Sequence, residues 1–191
     1  MMPPRAASAD PRSVRVQKSL KQAVLALLGE RRIETLAVGE IADRASVSRQ
    51  VFYQHFRDRD DVAAVAMIDT IQAAVFVDAD SDPVRRIHRL MDVAIASEGL
   101  CRNLRPSAAS ERLADYFQEL LRDMAAPIAQ ARTQHGPPAR RGERVQALTL
   151  FLAGGLGEVI KFAVDCSGGS DMLSNHLAHR MVDHCLEMLP R

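Results

Sequence analysis

Arg49, Gln50, Tyr53, Gln54 and His55 fall within one short segment, and their side chains suit the reading of a nucleic acid. A guanidinium can pair bidentately with the O6 and N7 edge of guanine, and a glutamine amide with the N6 and N7 edge of adenine. A phenol or an imidazole suits phosphate oxygens, which fix register without carrying sequence. Base reading is therefore assigned to Arg49, Gln50 and Gln54, and backbone positioning to Tyr53 and His55. Val51 has no donor for a phosphate but can meet a thymine methyl. Phe52 and Phe56 lie four apart, on one face of any helix formed here, and anchor that face so that the polar set points outward.

Two short helices must position these residues. Val38, Ile41 and Ala42 fall at helical spacing, Ala45-Ser46-Val47 breaks the period, and Ser48 offers its hydroxyl as the N-cap of a second helix. Two helices across a tight turn form a helix-turn-helix, the second entering the major groove. A first helix from about Ser13 to Gly29 puts Val16, Leu20, Val24, Leu27 and Leu28 on one stripe, suited to packing beneath the pair. Ser46 must take a turn conformation easier for glycine, at a cost of about 1 kcal/mol. Ala37 forfeits an N-cap unless Thr35 supplies one.

The run Ile41-Ala42, Val47-Ser48, Phe52-Tyr53-Gln54-His55-Phe56 and then Arg59-Asp60-Asp61 resembles the N-terminal domain of the tetracycline-repressor (TetR) family over roughly residues 13 to 62. The resemblance implies that Tyr53 and His55 touch phosphates and that Arg59, opening the next helix, stands for a phosphate-binding lysine. It also implies a ligand-responsive homodimer, usually a repressor, whose last two long helices pair with those of a second copy. In this sequence the usual turn glycine is Ser46, the usual Ser or Thr before the preceding helix is Ala37, and Gln50 and Val51 occupy positions usually small or threonine. The resemblance therefore implies an operator unlike those of relatives with Gly and Thr there.

Bulk properties point the same way. With 191 residues and 47% hydrophobic content, the chain can build a small domain and a medium one. Aromatic residues are few and tryptophan is absent, while Ala and Leu abound, so an all-α fold is expected. The net charge is only +1, yet residues 1 to 60 hold eleven Lys and Arg against seven Asp and Glu. The basic excess thus coincides with the proposed DNA domain. Cys101, Cys166 and Cys185 are too scattered for a zinc module or disulfide scaffold and are expected reduced and mostly buried. Residues 1 to 12 have no apolar signal core and are expected as a disordered arm in a cytoplasmic protein; Arg5 and Arg12 can reach a minor groove.

The expected organisation is the arm at 1–12, a three-helix DNA-binding domain at 13–57, and a helical ligand-binding and dimerisation domain at 58–191. Asp58 should cap a connecting helix to about Asp78, with Asp61 at the reciprocal position of a capping box. Asp82-Pro83 opens a helix ending near Gly99. A long helix from Ala108 to His135, bent at Pro127, should end at Gly136-Pro137-Pro138. Residues 144 to 164 are apolar nearly all round, so most sides of that helix must be covered. Glu158 and Lys161 argue against a membrane span. Ser170 should cap a last helix to about Leu189.

Met67, Met91, Phe117 and Met124 can line a ligand cavity, since methionine adapts to varied apolar shapes; core packing accounts for them equally well. His176, His179 and Asp183, with His184 and Cys185 adjacent, can present metal ligands on one face or form the polar edge of a dimer interface. No metal or cofactor is assigned. There is no phosphate-binding glycine loop, nucleophile elbow or HExxH, so no enzyme is expected. The expected function is a sequence-specific transcriptional regulator, a homodimer on double-stranded operator DNA, released by a small effector. The alternative is a dimeric helical interaction or metal-binding protein without DNA binding.

Overall fold

A computed structural model describes residues 10–78, 82–134, 138–166 and 172–188, excluding the side chains of 138, 166 and 172–175. The described residues are all-helical, as expected. The helices are α1 (Pro11–Glu30), α2 (Val38–Arg44), α3 (Arg49–His55), α4 (Arg59–Val75), α5 (Pro83–Ala96), α6 (Glu98–Leu104), α7 (Ala108–Arg132), α8 (Arg141–Cys166) and α9 (Met172–Glu187), with a short 3-10 turn at Ile33–Thr35 before α2. The chain divides into two compact units. One comprises residues 1–67 with 100–110, the other 68–99 with 111–191.

In the first unit, α1 starts two residues before the expected Ser13. The Asp10 carboxylate accepts the Arg12 N–H at 3.0 Å and Pro11 occupies the first turn, where its missing N–H is harmless. Arg12 is thus helical, and residues 1–9 of the expected arm, Arg5 among them, lie outside the described residues. Leu20, Val24, Leu27 and Leu28 bury one stripe of α1, while Val16 is only half-buried. Asp58 caps α4 as expected by accepting the Asp61 N–H at 2.8 Å. The Asp61 carboxylate reaches back one residue further than a capping box requires, accepting from Arg57 N–H at 3.0 Å.

The unit also extends beyond the expected boundary after residue 57. Val62, Ala63, Ala64, Ala66 and Met67 of α4 are buried, and residues 100–110 are tied in by polar contacts. The Asn103 amide donates to Leu28 O at 2.7 Å, Arg32 Nη2 donates to Arg105 O at 3.0 Å, and Ala109 N–H donates to Asp60 Oδ1 at 3.2 Å. These bonds satisfy carbonyls and an amide that helix ends and turns leave open.

In the second unit α5 packs against α8 and α9. It ends at Ala96, and α6 follows as a separate helix where the spacing predicted continuation to Gly99. Asp82 precedes Pro83 but makes no side-chain cap bond. α7 continues through Pro127 to Arg132; Gly136 and Pro137 lie outside the described residues, as does Ser170. Gly157 of α8 allows a close approach by α7, since a Cβ there would come within 3.4 Å of Gln118 and Leu121 side chains.

α8 departs most from expectation. Leu152, Ala153, Leu156, Ile160 and Ala163 form the buried stripe, but Leu150, Phe151 and Phe162 face outward, Phe151 being 71% exposed. One chain therefore covers one side of a helix that the sequence required to be covered on most sides. By length and composition alone α8 is apolar enough to cross a membrane; its outer face carries Glu158 and Lys161, paired at 3.8 Å.

The turn between α2 and α3 closes as a Schellman motif. Val47 N–H donates to Ala42 O at 2.9 Å and Ser46 N–H to Asp43 O at 3.0 Å. Ser46 holds the left-handed position between them, with φ of 57°. Ser46→Gly should raise stability by about 0.5–1 kcal/mol, measured by urea denaturation followed by circular dichroism. An unchanged or lower midpoint would show that Ser46 bears no strain.

Candidate nucleic-acid interface

α3 has seven residues, too few to persist alone, so its placement depends on what it buries. Phe52 is fully buried and Phe56 nearly so, their centroids 6.1 Å apart, and Tyr53 meets Phe52 edge-on at 5.4 Å. Ser48 caps the helix as expected, its hydroxyl accepting the Val51 N–H at 3.2 Å. Arg49, Gln50, Tyr53 and Gln54 are exposed, and Val51 and His55 are half-buried. The polar residues predicted for base and phosphate contacts thus share one short helix whose apolar face is fixed. His55 lies 3.5 Å from Gln17 through Nδ1, so α1 helps set its ring.

The loop before α2 has a different solution from the one sought in sequence. Thr35 caps nothing there; its hydroxyl donates to Arg32 O at 2.7 Å. The Glu40 carboxylate instead accepts the Ala37 N–H at 2.8 Å and pairs with Arg31. The Ala37 N–H, and after it the Arg31 guanidinium, hold the Glu40 carboxyl below its ordinary value of 4.5. A glutamate three residues after a capless alanine was the available sequence signal.

Arg59, expected at a phosphate, donates through Nη1 to Glu34 O and Leu36 O, each at 2.9 Å, and its Nε lies 3.6 Å from Asp60. Its guanidinium ties α4 to the loop preceding α2. Arg57, which the sequence reading passed over, has 80% of its side chain exposed, with Asp61 at the long distance of 3.9 Å.

The expected effector residues divide between the units. Met67 is buried in the first; Met91 and Met124 are buried and Phe117 half-buried in the second. The histidine face of α9 also divides. His179 and Asp183 turn toward α5, His179 Nε2 lying 2.8 Å from Asp92 and His88 Nε2 lying 2.9 Å from Asp183. The two Nδ1 atoms face one another at 2.7 Å between stacked rings, a geometry satisfied when one nitrogen donates and the other accepts. His176 is exposed, and His184 lies 3.4 Å from Glu187. Among the described residues no group of three or more His, Cys, Asp or Glu is arranged to hold a metal ion. Cys101 and Cys185 are half-buried thiols.

Residues 22–66 match the sequence profile of the bacterial regulatory proteins of the tetR family. Solved structures resemble most of the chain in fold. A fatty acid degradation regulator, FadR, from Bacillus halodurans has a TM-score of 0.59 at 14% identity, covering 90% of this chain and 98% of its own. A tetR-family transcriptional regulator from Streptomyces coelicolor scores 0.58 at 19% identity, covering 91% and 79% respectively. A TetR transcriptional regulator from Rhodococcus sp. RHA1 scores 0.54 at 16% identity, covering 95% and 100%. Among curated proteins none matches.

Because the folded Glu40 carboxyl titrates below the unfolded one, its contribution to stability is complete above the unfolded value and is lost as pH falls through the lowered folded value. Glu40→Gln should therefore be less stable than the wild type at neutral pH, with the gap closing on acidification below about 4.5. A pH series of urea midpoints tests this; a gap independent of pH would remove the carboxylate from the account.

Proposed function

We propose that this chain, whose residues 22–66 match the tetR family of bacterial regulatory proteins, is a DNA-binding transcriptional regulator of that family that represses from a palindromic operator and is released by a small effector. The observation that carries the reading is the division of α3: Phe52 and Phe56 buried, Arg49, Gln50, Tyr53 and Gln54 in solvent. Arg49, Gln50 and Gln54 read bases, Val51 meets a thymine methyl, and Ser48, Tyr53 and His55 position the backbone. Arg59 keeps α4 in register with the DNA-reading helices and contributes its remaining donors to phosphate. Arg57 supplies the more exposed cation.

A two-fold dimer supports reading of two half-sites about 34 Å apart. The outer face of α8, with Leu150, Phe151 and Phe162 exposed and open space over Gly154 and Gly155, offers the second copy an apolar surface that close-approaching helices can use. Leu177 of α9 is exposed as well. DNA as partner puts this work in the cytoplasm.

The effector is an apolar molecule held by the second unit against Met91, Phe117 and Met124. Residues of α4, α6 and α7 belong to both units, so repacking around a ligand can travel along their backbones. A ligand changes DNA affinity only through its differential affinity for two states, and reversing a 99:1 preference takes about 5.5 kcal/mol.

Binding measured across a salt series should show a steep fall in affinity with salt. Tyr53→Phe should weaken binding to every sequence alike, whereas Gln50→Ala should change which sequence is preferred. Salt-insensitive binding without sequence preference would sink the regulator reading. For the assembly, Phe151→Glu should turn a dimer into a helical monomer in sedimentation equilibrium; a variant that still sediments as a dimer moves the interface elsewhere.

A further inference from the structure

Gly39 stands second in α2 and is buried. The space its missing Cβ would take is occupied by the guanidinium of Arg49, the first residue of α3. From an ideal Cβ at Gly39, Nε of Arg49 would lie 2.8 Å away and Cζ 2.9 Å, with Nη2 in contact as well. Real Cβ atoms essentially never come within 3.0 Å of a heavy atom from a residue that is not a chain neighbour, so any other residue here must move the guanidinium.

We infer that Gly39 is a specificity-determining residue: its bare backbone forms a notch on α2 that aims the Arg49 guanidinium at its base. The inference rests on the base-reading role proposed above for Arg49. Arg49 is exposed, and a long side chain in solvent samples many rotamers unless a surface limits them. The notch supplies that surface. Bidentate pairing with guanine requires both guanidinium nitrogens in the plane of the base edge, so a side chain that pushes the group off α2 degrades the fit before it affects the fold. Nothing else within reach of a Cβ at Gly39 comes closer than these Arg49 atoms. The far end of a flexible side chain yields readily, and alanine favours a helix more than glycine does. Gly39→Ala is therefore a change of aim and not of architecture.

The decisive measurement is operator selection from a random DNA library by the full-length protein, with competition titrations on the winning sequence and on each single-base variant. Gly39→Ala should melt no lower than the wild type and bind scrambled DNA with the same affinity and salt slope. It should lose about 5- to 150-fold of discrimination at one base pair in each half-site, the range for a single bidentate contact. Arg49→Ala should lose discrimination at that same base pair, and adding Gly39→Ala to Arg49→Ala should change nothing further. Additive losses in the double variant, or a Gly39→Ala profile identical to the wild type, would overturn the notch. Gly39→Ser, with a polar side chain at the same position, gives the same readout should the alanine protein fail to fold. Wild-type protein that selects no sequence would overturn the base-reading assignment itself, a result separate from a wild type that selects and a variant that selects equally.

Discussion

The burial of Phe52 is the constraint on which the DNA-reading part of the molecule depends. A helix of seven residues gains too little from its own hydrogen bonds to hold its shape, and every residue on its outer face must stay in water to be of use. Phe52, with Phe56 a turn later, supplies the apolar contact that fixes α3. Truncating a buried aromatic of this size costs about 3–5 kcal/mol, a large part of what a small domain has in total. The cap at Ser48 and the Schellman turn at Ser46 set where the helix begins; the phenylalanines keep it there.

Around that helix, three arginines serve three ends. Arg31 joins Ala37 N–H in holding the Glu40 carboxylate, which forms the acidic half of a capping box whose hydroxyl half α2 lacks. Arg59 fastens two carbonyls of the loop before α2. Arg49 rests its guanidinium in the hollow over Gly39. The first two are internal fixings and the third remains exposed, so equal formal charge in a basic segment does not imply equal availability to a phosphate. Guanidinium groups suit both tasks because their donors lie in a fixed fork.

Local signals were legible in sequence because they act over three or four residues. Phe52 and Phe56 at one-turn spacing, Ser48 before α3, Asp58 before α4 and the misfit of serine at position 46 all announced themselves, and the all-helical fold followed from composition and period. What escaped notice depends on partners far along the chain. Arg59 reads as a free cation until residues 34 and 36 are seen beside it, and His179 as a neighbour of His176 until His88 arrives from α5. The outer face of α8 was misjudged for a related reason: apolarity on all sides says that cover is needed, not that the same chain supplies it.

Residues 100–110 bear on how such proteins can be recombined. Asn103 on the last turn of α1, Arg105 O on Arg32 and Ala109 on Asp60 make this segment part of the compact unit that holds α2 and α3, although more than thirty residues separate it from Met67 in sequence. The DNA-reading module is thus discontinuous. A chimera that joins residues 1–67 to the remainder of another regulator leaves the Leu28 carbonyl and the Arg32 guanidinium facing a foreign segment, whereas one that carries 100–110 with it transplants the module whole.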